Sequence, residues 1–265
     1  MKINKKFFFL SGLPRSGSTL LASIMNQNPE IYATPTSPML DLLYLNEQAW
    51  RQNPSVVANK FEQQIVSISD AIINGCWKHI DKPIIIDKHR AWAKQTPIIQ
   101  HFFGEAKIIV TTRDIPSIIA SFIKLIRSSP NNLVDNILRS RGLSTTDSNR
   151  VDLLVNEYIS DPYNSFQIGF MQSRNNLLII EYDDIVSTPD EVMSKVYDFI
   201  GLPVYQHHDY NNIHNVTKDD DLAAWGIKNL HTIRPKLEKT CESAREVLGS
   251  NLFNKYKSMQ LEFWK

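Results

Sequence analysis

The sequence predicts a three-layer α/β fold in which helices flank a central, mainly parallel β-sheet. Four short apolar runs without alternation indicate strands buried on both faces, as in a parallel sheet covered by helices. These runs are Lys6–Ser11, Pro83–Asp87, Lys107–Thr112 and Asn176–Glu181. Each run leads into a polar or glycine- and proline-marked turn and then into a helical pattern, and this alternation is typical of the fold class.

The segments between these runs are mostly helical in pattern. An insertion from roughly Pro38 to Gly75 separates the first two runs, and a second helical stretch extends from about Asn131 to Arg174. After the third run, Asp114 is a suitable helix N-cap and Pro116 falls in the first turn. The segment from Pro203 to Pro235 is polar and without period, so we expect a functional or disordered loop there.

Composition limits the classes of function. The 265 residues, 42% of them hydrophobic, suffice for one large core, and we expect a single domain over residues 1–265. The net charge of +1 does not indicate a partner such as nucleic acid or a membrane surface. The apolar runs are too short for a signal sequence or a membrane span. Cys76 and Cys241 form no disulfide framework, so we expect a cytoplasmic protein, with its oligomeric state left open.

A glycine loop, Gly12–Thr19 (GLPRSGST), follows the first run and precedes a helix. In this context backbone N–H groups and the helix N-terminus form an anion cradle. The spacing fits a phosphate loop, but Ser18 stands where ATP- and GTP-binding loops have the lysine that reaches the β- and γ-phosphates. Arg15 supplies a cation three positions earlier. A triphosphate would lose its main charge clamp here, although Asp87, at the end of a strand, leaves a magnesium ligand open.

The stretch GLPRSGSTLL, residues 12–21, resembles the 5′-phosphosulfate loop of sulfotransferases, especially the bacterial and tyrosylprotein branches. Two further motifs are similar to the same family. Arg113 ends a strand with Ser121 eight positions on, and residues 181–189 and 196–203 resemble the C-terminal signature. The resemblance implies a P-loop-type fold and 3′-phosphoadenosine-5′-phosphosulfate (PAPS) as sulfuryl donor, with no metal.

The resemblance also implies roles for individual residues. In the family, the Arg113–Ser121 pair binds the donor 3′-phosphate, Tyr182 lies near the adenine, and Lys88 contacts the bridging oxygen that leaves with the phosphate. A planar guanidinium is suited to phosphate because it donates two parallel hydrogen bonds. The alternative for Arg113 is a surface ion pair with Asp114. The loop residues expected to hold the 5′-phosphosulfate are Arg15, Ser16, Gly17, Ser18 and Thr19.

The acceptor must lose a proton, and His89 is the first candidate for the base because its ordinary pKa is about 6.5. Asp41 and Asp87 are alternatives, and His89 could instead cap the strand or face solvent. The sequence departs from both family patterns. Where the cytosolic branch has its histidine this chain has Arg90, and the glutamate position of the tyrosylprotein branch falls on Thr36.

The late segment, residues 219–234, lies where sulfotransferases place a loop over the 3′-phosphate and adenine. Lys228 and Arg234 are candidate contacts there, and Trp225 is a candidate stacking platform. The histidines at 207, 208 and 214 lack the carboxylate or thiol spacing of a metal site.

The predicted function is transfer of a sulfuryl group from PAPS to a hydroxyl or amine of a small-molecule, carbohydrate or peptide acceptor. Two alternatives stay open. One is a nucleoside-triphosphate kinase or hydrolase with a degenerate loop in which Lys88 replaces the missing lysine. The other is a module that binds a nucleotide or a protein and transfers nothing.

Overall fold

The computed structural model describes residues 4–59, 61–216, 221–238, 242–259 and 261–265. Cys241 and the first two residues of the predicted late segment, Asp219 and Asp220, lie outside these ranges. The strands form one five-stranded sheet in the order β2-β3-β1-β4-β5, and every neighbouring pair is parallel. The strands are β1 (Lys6–Gly12), β2 (Ile31–Ala33), β3 (Ile84–Lys88), β4 (Ile108–Thr112) and β5 (Leu177–Glu181).

Helices fill the connections between these parallel strands and also follow the last strand. In chain order they are α1 (Ser18–Met25), α2 (Met39–Arg51), α3 (Pro54–Asn59), α4 (Glu62–Trp77), α5 (Thr96–Phe103), α6 (Ile115–Arg127), α7 (Leu133–Ser140), α8 (Asp147–Leu154), α9 (Ser160–Ser173), α10 (Tyr182–Ser187), α11 (Pro189–Ile200), α12 (Asp221–Trp225) and α13 (Ala244–Lys257). Short 3-10 helices span Arg90–Lys94 and Arg174–Asn176, and one π-helical segment, Val155–Ile159, joins α8 to α9.

Helices cover both faces of the sheet, because successive side chains of each strand point to opposite faces and are mostly apolar on both. On one face, Phe8 and Leu10 of β1 pack with residues of α1 and α11. On the other, Phe9 packs with α2, α4, α5 and α9. A further apolar cluster joins α6, α7, α8 and α13. This arrangement is the three-layer fold expected when buried strands alternate with amphipathic helices.

The predicted fold class is confirmed, as are the four predicted strands. β2 was missed, and it has only three residues. The helical insertion and the second helical stretch correspond to α2–α4 and to α7–α9. Asp114 caps α6 as expected, since its Oδ1 accepts the Ser117 N–H at 3.0 Å. The expectation of a single domain stays a prediction.

The order of the strands brings the candidate residues to one edge of the sheet. β1 lies between β3 and β4, so the chain crosses over in opposite directions on its two sides. Ligands of open α/β sheets bind at such a switch point, beyond the carboxyl ends of the strands. At this edge β1 continues into the glycine loop, β3 ends at Lys88, and Arg113 and Tyr182 directly follow β4 and β5.

Among the described residues, no helix combines the length and the apolar character that crossing a bilayer requires.

Candidate active site

The loop after β1 requires glycine at both ends. Gly12 has φ of 139°, and a Cβ there would lie 2.4 Å from the backbone oxygen of Thr111 on β4. Gly17 has φ of 89°, and a Cβ would lie 2.8 Å from Cδ2 of Tyr182. Positive φ and close backbone or ring approach are the two conditions that only glycine meets without strain. The loop therefore packs closely against β4 at one end and against Tyr182, which directly follows β5, at the other.

The helix that follows the loop begins without a side-chain cap. Gly17 is its N-cap residue and has no side chain to cap the first turn, and no other described side chain accepts a hydrogen bond from that turn. The first N–H groups of a helix have no intrahelical partner, and together with the helix dipole they attract an anion. Ser18 and Thr19, predicted to bind the 5′-phosphosulfate, lie in this turn and line the adjacent cleft.

The hydroxyl of Ser16 stabilises the loop instead of facing a ligand. Its Oγ is buried, lies 2.5 Å from the Leu13 carbonyl oxygen, and lies 2.7 Å from Oγ1 of Thr111. Ser16 was predicted to bind the donor. Since its hydroxyl is engaged inside the fold, any contact with a donor falls to its backbone.

Arg15 joins three parts of the chain. It has φ of 59°, a left-handed conformation that is uncommon outside glycine. Its Nε donates to Ser121 Oγ on α6 at 3.1 Å, and Nη1 donates to the carbonyl oxygen of Leu230 in the late segment. Arg15 and Ser121, predicted separately for the two phosphates of the donor, are thus direct neighbours.

Arg113 does not form the surface ion pair considered as its alternative role. Its Nη1 lies 3.4 Å from the Arg15 carbonyl oxygen, and its guanidinium carbon lies 4.1 Å from the centre of the Tyr182 ring. Asp114 points into the turn of α6 that it caps. Within the described ranges no carboxylate pairs with Arg113, so its donors are oriented by a ring and a carbonyl at the cleft.

A cleft of about 340 Å³ opens beside the loop and carries a strong excess of positive charge. Its basic lining residues are Arg15, Lys88, Arg90, Arg113, Lys124, Arg234 and Lys236. Only two carboxylates, Glu238 and Glu242, line it among the described residues, whereas the whole chain has a net charge of only +1. The charge excess is therefore local, as a polyanionic ligand requires.

Of the predicted late-segment residues, Arg234 and Trp225 reach this cleft and Lys228 does not. Trp225 lies edge to face with Tyr158, with 6.0 Å between ring centroids, and both rings line the cleft. Lys228 is exposed, and its backbone N–H is bonded to Ser129 Oγ at 3.3 Å. Tyr158 was not predicted. It belongs to the π-helical segment, a feature frequent at functional sites that has no signature in the sequence.

Lys88 ends β3 and is almost fully buried, with 6% exposure. Its backbone N–H donates to Thr34 Oγ1 at 3.1 Å, and its side chain lines the cleft close to the loop. A buried lysine retains its charge only where anionic groups or hydrogen-bond acceptors compensate for lost hydration. The location agrees with the predicted contact to a departing phosphate oxygen.

His89 forms a pair with Asp41. Its Nδ1 accepts the Ala91 N–H at 3.2 Å and thereby caps the 3-10 helix, and Nε2 lies 3.1 Å from Asp41 Oδ1. This arrangement assigns the proton of the neutral ring to Nε2. Burial lowers the pKa of His89, and the nearby Asp41 carboxylate opposes that effect. Both ring nitrogens have partners, so the imidazole does not offer a free lone pair by itself.

Asp87 is removed from the candidates for the base. It is completely buried, and its two oxygens accept hydrogen bonds from the Ser37 hydroxyl at 2.6 Å and the Trp92 indole at 2.7 Å. Burial raises the pKa of Asp87 to about 6. The carboxyl group lies in the apolar layer with Phe9 and Trp92, away from the cleft, where it can serve neither as base nor as magnesium ligand.

No three His, Cys, Asp or Glu side chains of the described segments come together as a metal site would require. The prediction that no metal takes part stays a prediction.

Comparisons with known proteins agree on one family. The model of the sulfotransferase family matches residues 8–207. A Caenorhabditis briggsae protein described as "putative protein-tyrosine sulfotransferase" is 23% identical over 234 residues, which cover 85% of this chain and 77% of that protein. Protein-tyrosine sulfotransferase A of Caenorhabditis elegans is 21% identical over 206 residues, and the match covers 74% of this chain but only 50% of that protein.

One solved structure resembles the chain over nearly its whole length. The sulfotransferase domain from the curacin biosynthetic pathway superposes with a TM-score of 0.58 at 17% identity, covering 98% of both chains. At this identity the likeness supports the fold.

Proposed function

The chain belongs to the sulfotransferase family, and from that premise we propose that it transfers the sulfuryl group of PAPS to an acceptor hydroxyl or amine. The observation that carries the proposal is the cleft beside the loop. In the part of the chain that the structure describes, it combines an uncapped helix N-terminus with seven basic side chains against two carboxylates. PAPS brings a phosphosulfate and a separate 3′-phosphate, and such a polyanion needs charge compensation at two places.

The 5′-phosphosulfate end is assigned to the loop. Transfer breaks the bond between sulfur and the bridging oxygen, so negative charge develops on the phosphate that leaves. Fixed donors directed at that oxygen stabilise the transition state more than the ground state. The N–H groups at the start of α1, the Thr19 hydroxyl, Arg15 and Lys88 would supply them.

The 3′-phosphate end is assigned to Arg113. Its guanidinium is held by the Tyr182 ring and the Arg15 carbonyl, with no carboxylate pair among the described residues. The neighbouring Ser121 hydroxyl already accepts from Arg15, so its own proton is available for a phosphate oxygen. Arg234 would add charge from the late segment, and Tyr182 and Trp225 offer aromatic surface for the adenine.

We place acceptance of the proton on the His89–Asp41 pair rather than on His89 alone. The two side chains are 3.1 Å apart, and Asp41 keeps 62% of its side chain exposed while His89 is mostly enclosed. His89 directly follows Lys88 at the carboxyl edge of β3, but neither side chain of the pair lines the cleft, so we propose that the acceptor lies between the pair and the donor.

The acceptor is proposed to be a hydroxyl or amine of a small molecule, a carbohydrate or a peptide. The relatives named above are described as protein-tyrosine sulfotransferases, so peptide tyrosine comes first in any trial. A cytoplasmic location, the absence of a metal requirement, and the lack of nucleic-acid or membrane partners belong to this proposal.

Transfer of labelled sulfate from PAPS tests the proposal directly. We expect label on at least one member of a panel of tyrosine peptides, phenols, alcohols, sugars and amines, in the presence of a metal chelator. Arg15→Ala and Lys88→Ala should lower turnover more than donor affinity. Donor binding with no transfer to any panel member or cell extract would favour the binding module, and phosphate transfer from ATP would favour the kinase.

A further inference from the structure

We propose that Arg90 is a further catalytic residue, whose guanidinium binds the sulfuryl oxygens of the donor. The proposal rests on the proposed function, since it assigns a group on the donor described there. Arg90 is not part of the phosphate loop, and it stands where the cytosolic branch of the family has its histidine.

The position of Arg90 is fixed by the end of β3 and by the start of the phosphate loop. It is the first residue of the 3-10 helix that follows β3. Its carbonyl oxygen accepts the Ser11 hydroxyl at 2.6 Å, and Ser11 directly precedes Gly12 at the start of the loop. The side chain lines the same cleft as Lys88 and Arg15. The backbone of Arg90 is thus held against the start of the loop, and its side chain lines the cleft beside that loop.

The guanidinium lacks a compensating partner within the described ranges of the chain. No carboxylate, carbonyl or hydroxyl accepts a hydrogen bond from it there, whereas Arg150, for example, is held by Asp135 at 2.7 Å. Arg90 is partly buried, and its positive charge adds to the lowering of the His89 pKa. A desolvated cation without a counter-ion is costly. The arrangement therefore calls for an anion from outside the chain.

The sulfuryl group is the anion that fits this position. The loop N–H groups and Arg15 face the 5′-phosphate, and Arg113 is on the far side of the loop with Tyr182. Arg90 lies two residues after Lys88, beyond the end of β3 and next in the chain to His89, which pairs with Asp41. A planar fork can bind two oxygens of one sulfur. Burial lowers the pKa of the Arg90 guanidinium, but an arginine stays protonated in proteins, so Arg90 binds the anion and does not act as a base.

The role of Arg90 in the reaction follows from the balance of bonds. The acceptor oxygen or nitrogen forms a bond to sulfur, and the bond from sulfur to the bridging oxygen breaks. The electron pair of the broken bond leaves with the phosphate as 3′,5′-bisphosphoadenosine (PAP), and the acceptor proton passes to the His89–Asp41 pair. The three remaining sulfuryl oxygens keep their negative charge throughout, and Arg90 holds them while sulfur changes partner.

The test compares the affinities for PAPS and for PAP, which differ only by the sulfuryl group. Titration calorimetry without acceptor is carried out on the wild type, Arg90→Gln and Arg90→Lys. Lys94→Gln is the matched control, because Lys94 lies on the same 3-10 helix and does not line the cleft. We expect Arg90→Gln to weaken PAPS binding about 10- to 100-fold, as for the loss of charge-assisted hydrogen bonds, and PAP binding by less than about 3-fold.

Arg90→Lys should recover part of the PAPS affinity, because it keeps the charge but not the fork, and Lys94→Gln should change neither affinity. Equal losses for PAPS and PAP would overturn the assignment and make Arg90 a phosphate contact or a structural residue. Unchanged affinity for both, with a raised KM for an anionic acceptor, would overturn it in favour of acceptor recognition. If the wild type binds neither nucleotide, the proposed function itself fails, which is a result distinct from the other two.

Discussion

Replacing Arg113 with alanine separates recognition of the 3′-phosphate from recognition of the rest of the nucleotide. In the structure the Arg113 side chain has two contacts, a 3.4 Å approach to the Arg15 carbonyl and the Tyr182 ring at 4.1 Å. The first is long for a hydrogen bond. The second contributes about 0.5–1 kcal/mol at a partly exposed site. The folded protein should therefore lose little stability.

The expected loss in binding is much larger. A bidentate guanidinium would donate two charge-assisted hydrogen bonds to the 3′-phosphate, each worth about 1.5–3 kcal/mol. The loss of both corresponds to at least about 3 kcal/mol, or at least about a hundredfold in the dissociation constant of PAP. Adenosine 5′-phosphate lacks the 3′-phosphate, so its affinity should change by no more than a few-fold.

Titration calorimetry of both nucleotides measures this difference. Arg174→Ala is a matched control, because Arg174 also lies over an aromatic ring, that of Phe170 at 5.3 Å, and donates to the Leu177 carbonyl at 2.9 Å. It does not line the cleft, so its loss should leave both affinities unchanged. Equal losses for PAP and adenosine 5′-phosphate in Arg113→Ala would refute the assignment of Arg113 to the 3′-phosphate.

Three further predictions follow from the geometry of the loop, the buried carboxyl group and the proton acceptor. Gly17→Ala should lower both the melting temperature and PAP affinity, because Gly17 has φ of 89° and a Cβ there would lie 2.8 Å from the Tyr182 ring. Gly75→Ala is the control and should lower neither, because a Cβ there would meet nothing within 4 Å. Equal effects of the two substitutions would contradict the prediction. Because the pKa of Asp87 is raised from 3.8 to about 6, the folded protein retains a proton that the unfolded chain releases. The free energy of unfolding should then fall by up to about 3 kcal/mol as pH rises through that window. Denaturant unfolding of Asp87→Asn should not show this fall in the free energy of unfolding with pH. If the variant has the same pH dependence as the wild type, Asp87 is not its source. His89→Asn and Asp41→Asn should each lower kcat by about 100-fold or more without weakening PAP binding, and full turnover in either variant would remove the pair as proton acceptor.

The strands and the phosphate loop could be predicted because their signals are local in the sequence, although the strands themselves pair with distant parts of the chain. The four apolar runs show their burial directly, and the spacing from Gly12 to Thr19 determines a local backbone shape. β2 was missed because three residues, Ile31–Ala33, are too few to show a periodicity. Its place in the sheet comes from pairing with β3, more than 50 residues later in the chain.

Contacts between distant parts of the chain also limited what could be predicted of the site. Only the folded chain shows that Arg15 bonds to Leu230, that the Ser16 hydroxyl turns towards Thr111, and that Asp87 is enclosed by Ser37 and Trp92. All of these contacts join distant parts of the chain, except that of Asp87 with Trp92, which lies five residues later. Side-chain direction at the end of a strand decides between a ligand contact and a buried role.

The side chains of Asp87 and Lys88 illustrate this limit. These neighbours were both candidates, and the alternation of β3 turns one into the apolar core and the other towards the cleft. The pairing of His89 with Asp41 likewise depends on how α2 packs beside the end of β3. The resemblance to the family indicated the donor, whereas the proposed proton acceptor depends on packing.

The central claim is that the cleft recognises a nucleotide with a 3′-phosphate, and thermal unfolding with ligands tests it most directly. PAP in the presence of a metal chelator should raise the melting temperature, since a ligand at 100 times its dissociation constant adds about 2.7 kcal/mol to stability. ATP with magnesium at the same concentration should have little effect. Stabilisation by ATP with magnesium and none by PAP would contradict the account.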